Sequence, residues 1–169
     1  ITAGDRALLT TGGTENNGCN RQVIGTPIAF DAGKPCYFGA KVSVSEATQS
    51  DFFVGLASTD TSIYASHAVT VINAAGFSKN DGATALISNT IKAAAASTAT
   101  VATAFDTSKH IYEVYFDGSS VYYYYDGNLV NSLASGWPTV VMTPSIALMA
   151  GDGNARTALV EWMRCIQLE

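Results

Sequence analysis

Fourteen carboxylates, two histidines and three cysteines are the reactive side chains of this sequence, and their spacing limits what they can do. Glycosidic bonds are broken by two carboxyl groups held about 5–10 Å apart across a cleft. The nearest candidate run is Glu113-Val114-Tyr115-Phe116-Asp117, but Asp117 falls in a turn and no second glutamate follows. Glu161 stands alone between Val160 and Trp162. Both glutamates read as members of a solvated strand face, and no residue is assigned a catalytic role. His67 and His110 are far apart, have no cysteine nearby and accompany no nucleophile elbow, so both read as strand-end residues. Cys19, Cys36 and Cys165 form no CxxC pair and show no zinc spacing. Their odd number allows at most one internal disulfide, and buried free thiols are the simpler reading.

Asp126-Gly127-Asn128 and Asp152-Gly153-Asn154 carry the residue types that hold sugars, with Trp137 or Tyr64 as a ring to stack on. Each triplet is explained equally well as a hairpin turn, because Asn and Gly tolerate positive φ. Calcium takes about six to eight oxygens, and no aspartate cluster offers them. No metal and no cofactor are expected. The run Tyr122–Tyr125 is the most unusual feature. On a strand, Tyr122 and Tyr124 face one way and Tyr123 and Tyr125 the other. One pair enters the core with Val121; the other meets solvent, a sheet rim or a partner, where tyrosine is favoured for its large area and its hydroxyl.

The elements that position these residues follow from composition and periodicity. The chain has 169 residues, 47% of them hydrophobic, enough for one domain with a real core. Charged residues are only 14% and the net charge is −5 with a pI near 4.8, which argues against disorder and against nucleic acid as a partner. No apolar run is long enough for a membrane helix. The chain starts at Ile1, and its first twenty residues show no secretory-signal pattern. A surface this poor in charge repels other chains weakly and suits an assembly.

Residues 1–20 are polar and rich in Gly, Thr and Asn, and read as an irregular arm with one strand near Arg6–Thr10. Such an arm cannot bury enough surface alone to offset its ordering entropy, so Arg6, Leu8 and Leu9 are candidate partner contacts. Residues 21–169 read as a single domain. Gln22–Phe30 reads as an edge strand interrupted by Pro27. Cys36–Ser45 alternates, with Tyr37, Gly39 and Lys41 opposite Phe38, Ala40 and Val42. Phe52–Leu56 is a buried strand, Ser66–Asn73 a strand or short helix, and Ala75–Ser78 with Ala85–Ser88 a hairpin. Lys92–Phe105 mixes Ala with Thr and Val, and reads as an irregular loop leading into a strand. Ile111–Phe116 alternates, with Tyr112, Val114 and Phe116 opposite Ile111, Glu113 and Tyr115. It is joined to Val121–Tyr125 and Leu129–Leu133 by Asp117-Gly118 and Asp126-Gly127, the strongest short-range hairpin signal. Ser145–Ala150 and Thr157–Gln167 close the chain. In the last run Ala158, Val160, Trp162 and Arg164 alternate against Leu159, Glu161, Met163 and Cys165. Turns every eight to twelve residues or so indicate an all-β sandwich or barrel.

The order Phe53–Leu56, Gly76-Phe77, strand–Asp117-Gly118–strand–Asp126-Gly127–strand, then Pro144–Met149 and Leu159–Ile166, resembles the concanavalin A-like jelly roll of legume lectins, laminin G-like modules and family 16 glucanases. The resemblance spans most of residues 20–169 and implies an antiparallel two-sheet sandwich. It does not extend to the glucanase pattern Glu-x-Asp-x-x-Glu, which is absent, so an enzyme is not expected. For a lectin, the resemblance implies glycan contact through Trp137, Asp126 and Asn128. In its Ala-, Thr- and Ser-rich texture the chain also resembles capsid decoration (cement) proteins of tailed bacteriophages. That implies a structural virion protein on the capsid surface, a homo-oligomer, with a trimer favoured. It would bind the major capsid protein and its own copies, through Arg6, Leu8, Leu9, Tyr122 and Tyr124. A carbohydrate-binding module on a fibre or a secreted protein is the alternative.

Overall fold

The computed structural model describes residues 7–23, 25 and 28–168. Two six-stranded antiparallel sheets face each other. Sheet A runs, across its width, β1 (Ala7–Thr10), β14 (Thr157–Gln167), β3 (Cys36–Val44), β10 (His110–Phe116), β11 (Val121–Tyr125) and β12 (Asn128–Leu133). Sheet B runs β2 (Gly18–Gln22), β13 (Thr143–Ala150), β4 (Ser50–Ala57), β7 (Ala74–Lys79), β8 (Leu86–Lys92) and β9 (Ala95–Ala102). The first two strands enter different sheets, so the segment read as an arm supplies one edge to each.

The core lies between the sheets and follows the alternation. Phe38, Ala40, Val42 and Val44 of β3, Tyr112, Val114 and Phe116 of β10, and Val121 and Tyr123 of β11 are all buried there. Apolar burial of this kind is worth roughly 1.5–3 kcal/mol for each large side chain. Phe77 meets both Tyr112 and Tyr123 edge-on, at 5.5 and 5.7 Å between ring centroids, and so locks sheet B onto sheet A.

Four segments depart from the sequence expectation. The strand expected over Gln22–Phe30 stops at Gln22, and Ile28 keeps only an isolated bridge to Met142; Pro27 lies outside the described residues. The loop expected after Lys92 is a tight hairpin, with Ala93 and Ala94 at φ 50° and 66°. Its amides are held from outside the hairpin: Ala93 donates to Asn73 Oδ1 at 3.1 Å and Ala94 to Ile72 O at 2.9 Å. Those tertiary bonds override the poor fit of alanine to positive φ. Residues 66–73 form no full strand or helix, only part of a loop carrying β5 (Tyr64–Ala65) and β6 (Ala68–Val69). Finally, β14 carries a bulge between Val160 and Trp162. A bulge adds one residue and shifts every side chain beyond it to the other face. Met163 and Cys165 therefore pack on the core, while Trp162 and Arg164, paired with Lys41 and Gly39, stand outside.

The two outer faces differ. Every residue of β4, β7 and β13 is buried, because residues 58–73 fold back over sheet B. On sheet A the outward residues of β3, β10 and β11 are half-buried apart from Gly39, and Arg164 of β14 is exposed.

Candidate functional site: the outer face of sheet A

Strand register sets out this face in rows. One row reads Arg164, Gly39, Glu113, Tyr124 and Leu129 across β14, β3, β10, β11 and β12. The next reads Ile166, Tyr37, Tyr115, Tyr122 and Ser132. Neighbouring strands lie about 4.8 Å apart, so each row spans roughly 20 Å. Tyr115 and Tyr122 stack at 6.2 Å between centroids with planes 26° apart. The Arg164 guanidinium sits 5.0 Å above the Trp162 ring, a cation–π contact. The result is a sheet surface carrying five aromatic side chains, one carboxylate and one exposed guanidinium.

Polar contacts fix these groups. Tyr37 donates to Glu113 Oε1 at 2.7 Å. Burial, and then the Glu113 carboxylate, push the Tyr37 phenol well above its usual range, so it stays a donor. Tyr122 donates to Asp117 Oδ2 at 3.1 Å. Beyond them, Glu161 is bound by Lys109 and, at 2.8 Å, by Lys41. Those two ammonium groups, Lys109 first, hold its carboxyl at about 2.

The residues expected at functional positions separate here. Tyr122 and Tyr124 lie on this face, and Tyr125 turns partly into the core. Leu8 is 62% exposed, but Leu9 is 7% exposed and belongs to the core, because neighbouring residues on β1 point to opposite faces. Leu9 therefore offers nothing to a partner. Arg6 lies outside the described residues. Trp137 is half-buried against Phe116, 5.5 Å between ring centroids. Asp126 sits near the other end of β10. Its Oδ1 accepts the Ile111 amide at 2.8 Å, its Oδ2 meets His110 Nδ1 at 2.7 Å, and its φ is 49°. Asn128 donates back to Asp126 O at 3.3 Å. Trp137 and Asp126 thus do not form one sugar-holding group, and the Asp126 carboxylate serves the turn. Asp152 is likewise engaged, by Arg156 at 2.6 Å and by the Asn154 amide at 3.0 Å. Tyr64 is a buried plug, 5% exposed.

His110 is a strand-end residue, as its spacing suggests, held between Asp126 and Asp106. Burial works against its charge, but hydrogen bonds to Asp126 and Asp106 win and raise its pKa. His67 directly precedes β6, in the β5–β6 turn, and meets Asp51. Tyr37, Tyr115, Trp162 and Arg164 were not singled out from the sequence. The alternation already put the first two on polar faces; the bulge hid the last two. Among the described residues no three His, Cys, Asp or Glu side chains converge to hold a metal ion. Among the described residues no helix is long and apolar enough to cross a membrane.

No family model matches the chain, and no curated protein does. Solved structures do. A β-1,3-glucanase from Mycobacterium marinum superposes with a TM-score of 0.67 at 16% identity, over 95% of this chain and 74% of that one. The alginate lyase AlyC3 gives 0.67 at 10% identity, over 96% and 75%. The carbohydrate recognition domain of Emp47p gives 0.64 at 9% identity, over 98% and 90%. The fold is a concanavalin A-like jelly roll. At these identities the likeness is one of fold.

Proposed function

We propose that this jelly roll is a carbohydrate-binding module and that it reads glycan on the outer face of sheet A. The observation that carries this reading is the β14 bulge. It brings Trp162 and Arg164 out beside Tyr37, Glu113, Tyr115, Tyr122 and Tyr124. A sugar ring offers apolar C–H faces to aromatic side chains, and its hydroxyls pair with phenols, carboxylate and guanidinium. Binding is favoured over turnover because Glu161 is tied to two lysines and Glu113 to Tyr37. Structural neighbours named as a glucanase, an alginate lyase and a carbohydrate recognition domain support this reading.

The test is a glycan array followed by calorimetry on the best ligands. Trp162→Ala or Tyr124→Ala should each weaken binding about tenfold, the loss of roughly 1.4 kcal/mol. Wild-type protein that binds no glycan, or variants that bind unchanged, would remove this reading.

A second reading is favoured by the rim of the same face. Leu8, Leu129 and Ile166 stand 62%, 55% and 56% exposed there, and Tyr, Trp and Arg are also the residues enriched in protein interfaces. On that reading the chain decorates a bacteriophage capsid, meeting major capsid protein and its own copies around a threefold axis. Sedimentation as a trimer, and a raised disruption temperature of capsids on addition, would support it over the glycan reading. A monomer indifferent to capsids would end it.

A further inference from the structure

Residues 58–73 cross the outer face of sheet B as a closed loop, its ends joined by the Ser58 amide donating to Asn73 O at 2.9 Å. Compact loops of this length with joined ends pack by their own side chains and open as units. Here Ile63, Tyr64 and Val71 sit on Phe53, Ala57, Ala74, Ile91, Ala147 and Met149, a cluster separate from the main core. The loop's regular structure is two strands of two residues each. At its tip Ser66 and His67 have φ of 48° and 60°, a region that non-glycine residues enter only when neighbours hold them.

What holds the tip is Asp51. His67 Nδ1 lies 2.8 Å from Asp51 Oδ2, and the Asp51 side chain is fully buried on β4. The other Asp51 oxygen accepts the Asp81 amide at 2.7 Å. His67 Nε2 faces Glu15, 3.6 Å away, from the loop before β2. Asp81 and Asp51 act on Lys79, which is buried and donates to Thr48 O and Ser50 O; Glu46 adds its field there. The imidazole therefore contacts the carboxylates of Asp51 and Glu15 and lies in the field of Asp81, and the Lys79 ammonium, on which both aspartates act, is engaged with carbonyls.

We propose that residues 58–73 are a lid over sheet B, latched by the His67–Asp51 ion pair and released when His67 loses its proton. Asp51, the first of these groups, raises the imidazole pKa in the closed state, so closure takes up a proton. Linkage then sets the sign. The latch is fully made below the ordinary histidine value near 6.5 and is lost as pH rises through the raised value. A neutral imidazole can still donate to Asp51, but the buried carboxylate loses the charge of the imidazolium at its side.

Hydrogen exchange measured from about pH 6 to about pH 9, corrected for intrinsic rates, tests this. Peptides covering 58–73 should lose protection severalfold over that range, while peptides of β14, whose Glu161 and Cys165 titrate outside it, do not. His67→Asn removes the charge and tolerates the turn, so its lid should exchange fast and independently of pH. The midpoint for wild-type protein should match the His67 titration followed by NMR, which stands even where the variant folds poorly. Lid protection that does not change with pH, a pH dependence that survives in His67→Asn, or a midpoint away from the His67 titration would each overturn the proposal.

Discussion

Tyr37 reaches across Gly39 to donate a hydrogen bond to Glu113, 2.7 Å away. The reach depends on the glycine, because a Cβ at position 39 would lie 2.2 Å from the Tyr37 hydroxyl oxygen. The clash is with the tip of a side chain, not with backbone, so the strand can keep its course. Gly39→Ala should therefore cost only about 1 kcal/mol in urea denaturation, the low end of overpacking. It should swing the phenol off Glu113 and lower the Tyr37 pKa, read by ultraviolet titration. An unchanged phenol titration would mean that Gly39 does not set this contact.

That relationship shows what the sequence discloses and what it hides. Alternation in Cys36–Ser45 and Ile111–Phe116 already separates Tyr37, Gly39, Glu113 and Tyr115 from the core residues between them. The hairpins at Asp117-Gly118 and Asp126-Gly127 are legible because positive φ leaves few other residue choices. The face itself needs register between strands some 70 residues or more apart in sequence, which local pattern does not carry. Trp162 and Arg164 are hidden for a further reason: a one-residue bulge reverses the parity on which the pattern rests. His67 is hidden because its partner Asp51 is distant in sequence and buried beneath a loop without regular pattern.

Tyr123 and Thr90 join the two sheets by a hydrogen bond between their hydroxyls, both side chains being buried. Tyr123→Phe leaves the Thr90 hydroxyl without that partner and should cost about 1–2 kcal/mol. Adding Thr90→Val removes the orphan and should recover part of that loss. The check is a double-mutant cycle in urea. A cycle that is simply additive would show that the bond contributes nothing.

All three cysteines are free thiols. Burial pushes Cys36 up to about 12, helped by the neighbouring Cys165, and Cys165 up to about 11; Cys19 is raised as well. Thiol reagents attack the thiolate, so near pH 8 native protein should react far more slowly than an unfolded control. In denaturant all three should react. Native Cys36 reacting at the rate of a free peptide thiol would contradict its placement in the core.

Glu161 binds Lys109 and Lys41, which hold its carboxyl at about 2 against an ordinary value of 4.5. A depressed carboxylate contributes stability above its unfolded value and loses it as pH falls toward the folded one. The loss therefore belongs between about pH 4.5 and pH 2. Both lysines are partly exposed, 33% and 41%, so salt screens the pair. Urea midpoints should fall across that window in low salt and fall less in about 1 M salt. Glu161→Gln should flatten that part of the curve and leave the rest. A variant whose acid limb superposes on wild type would show that the pair is not what the native state loses there.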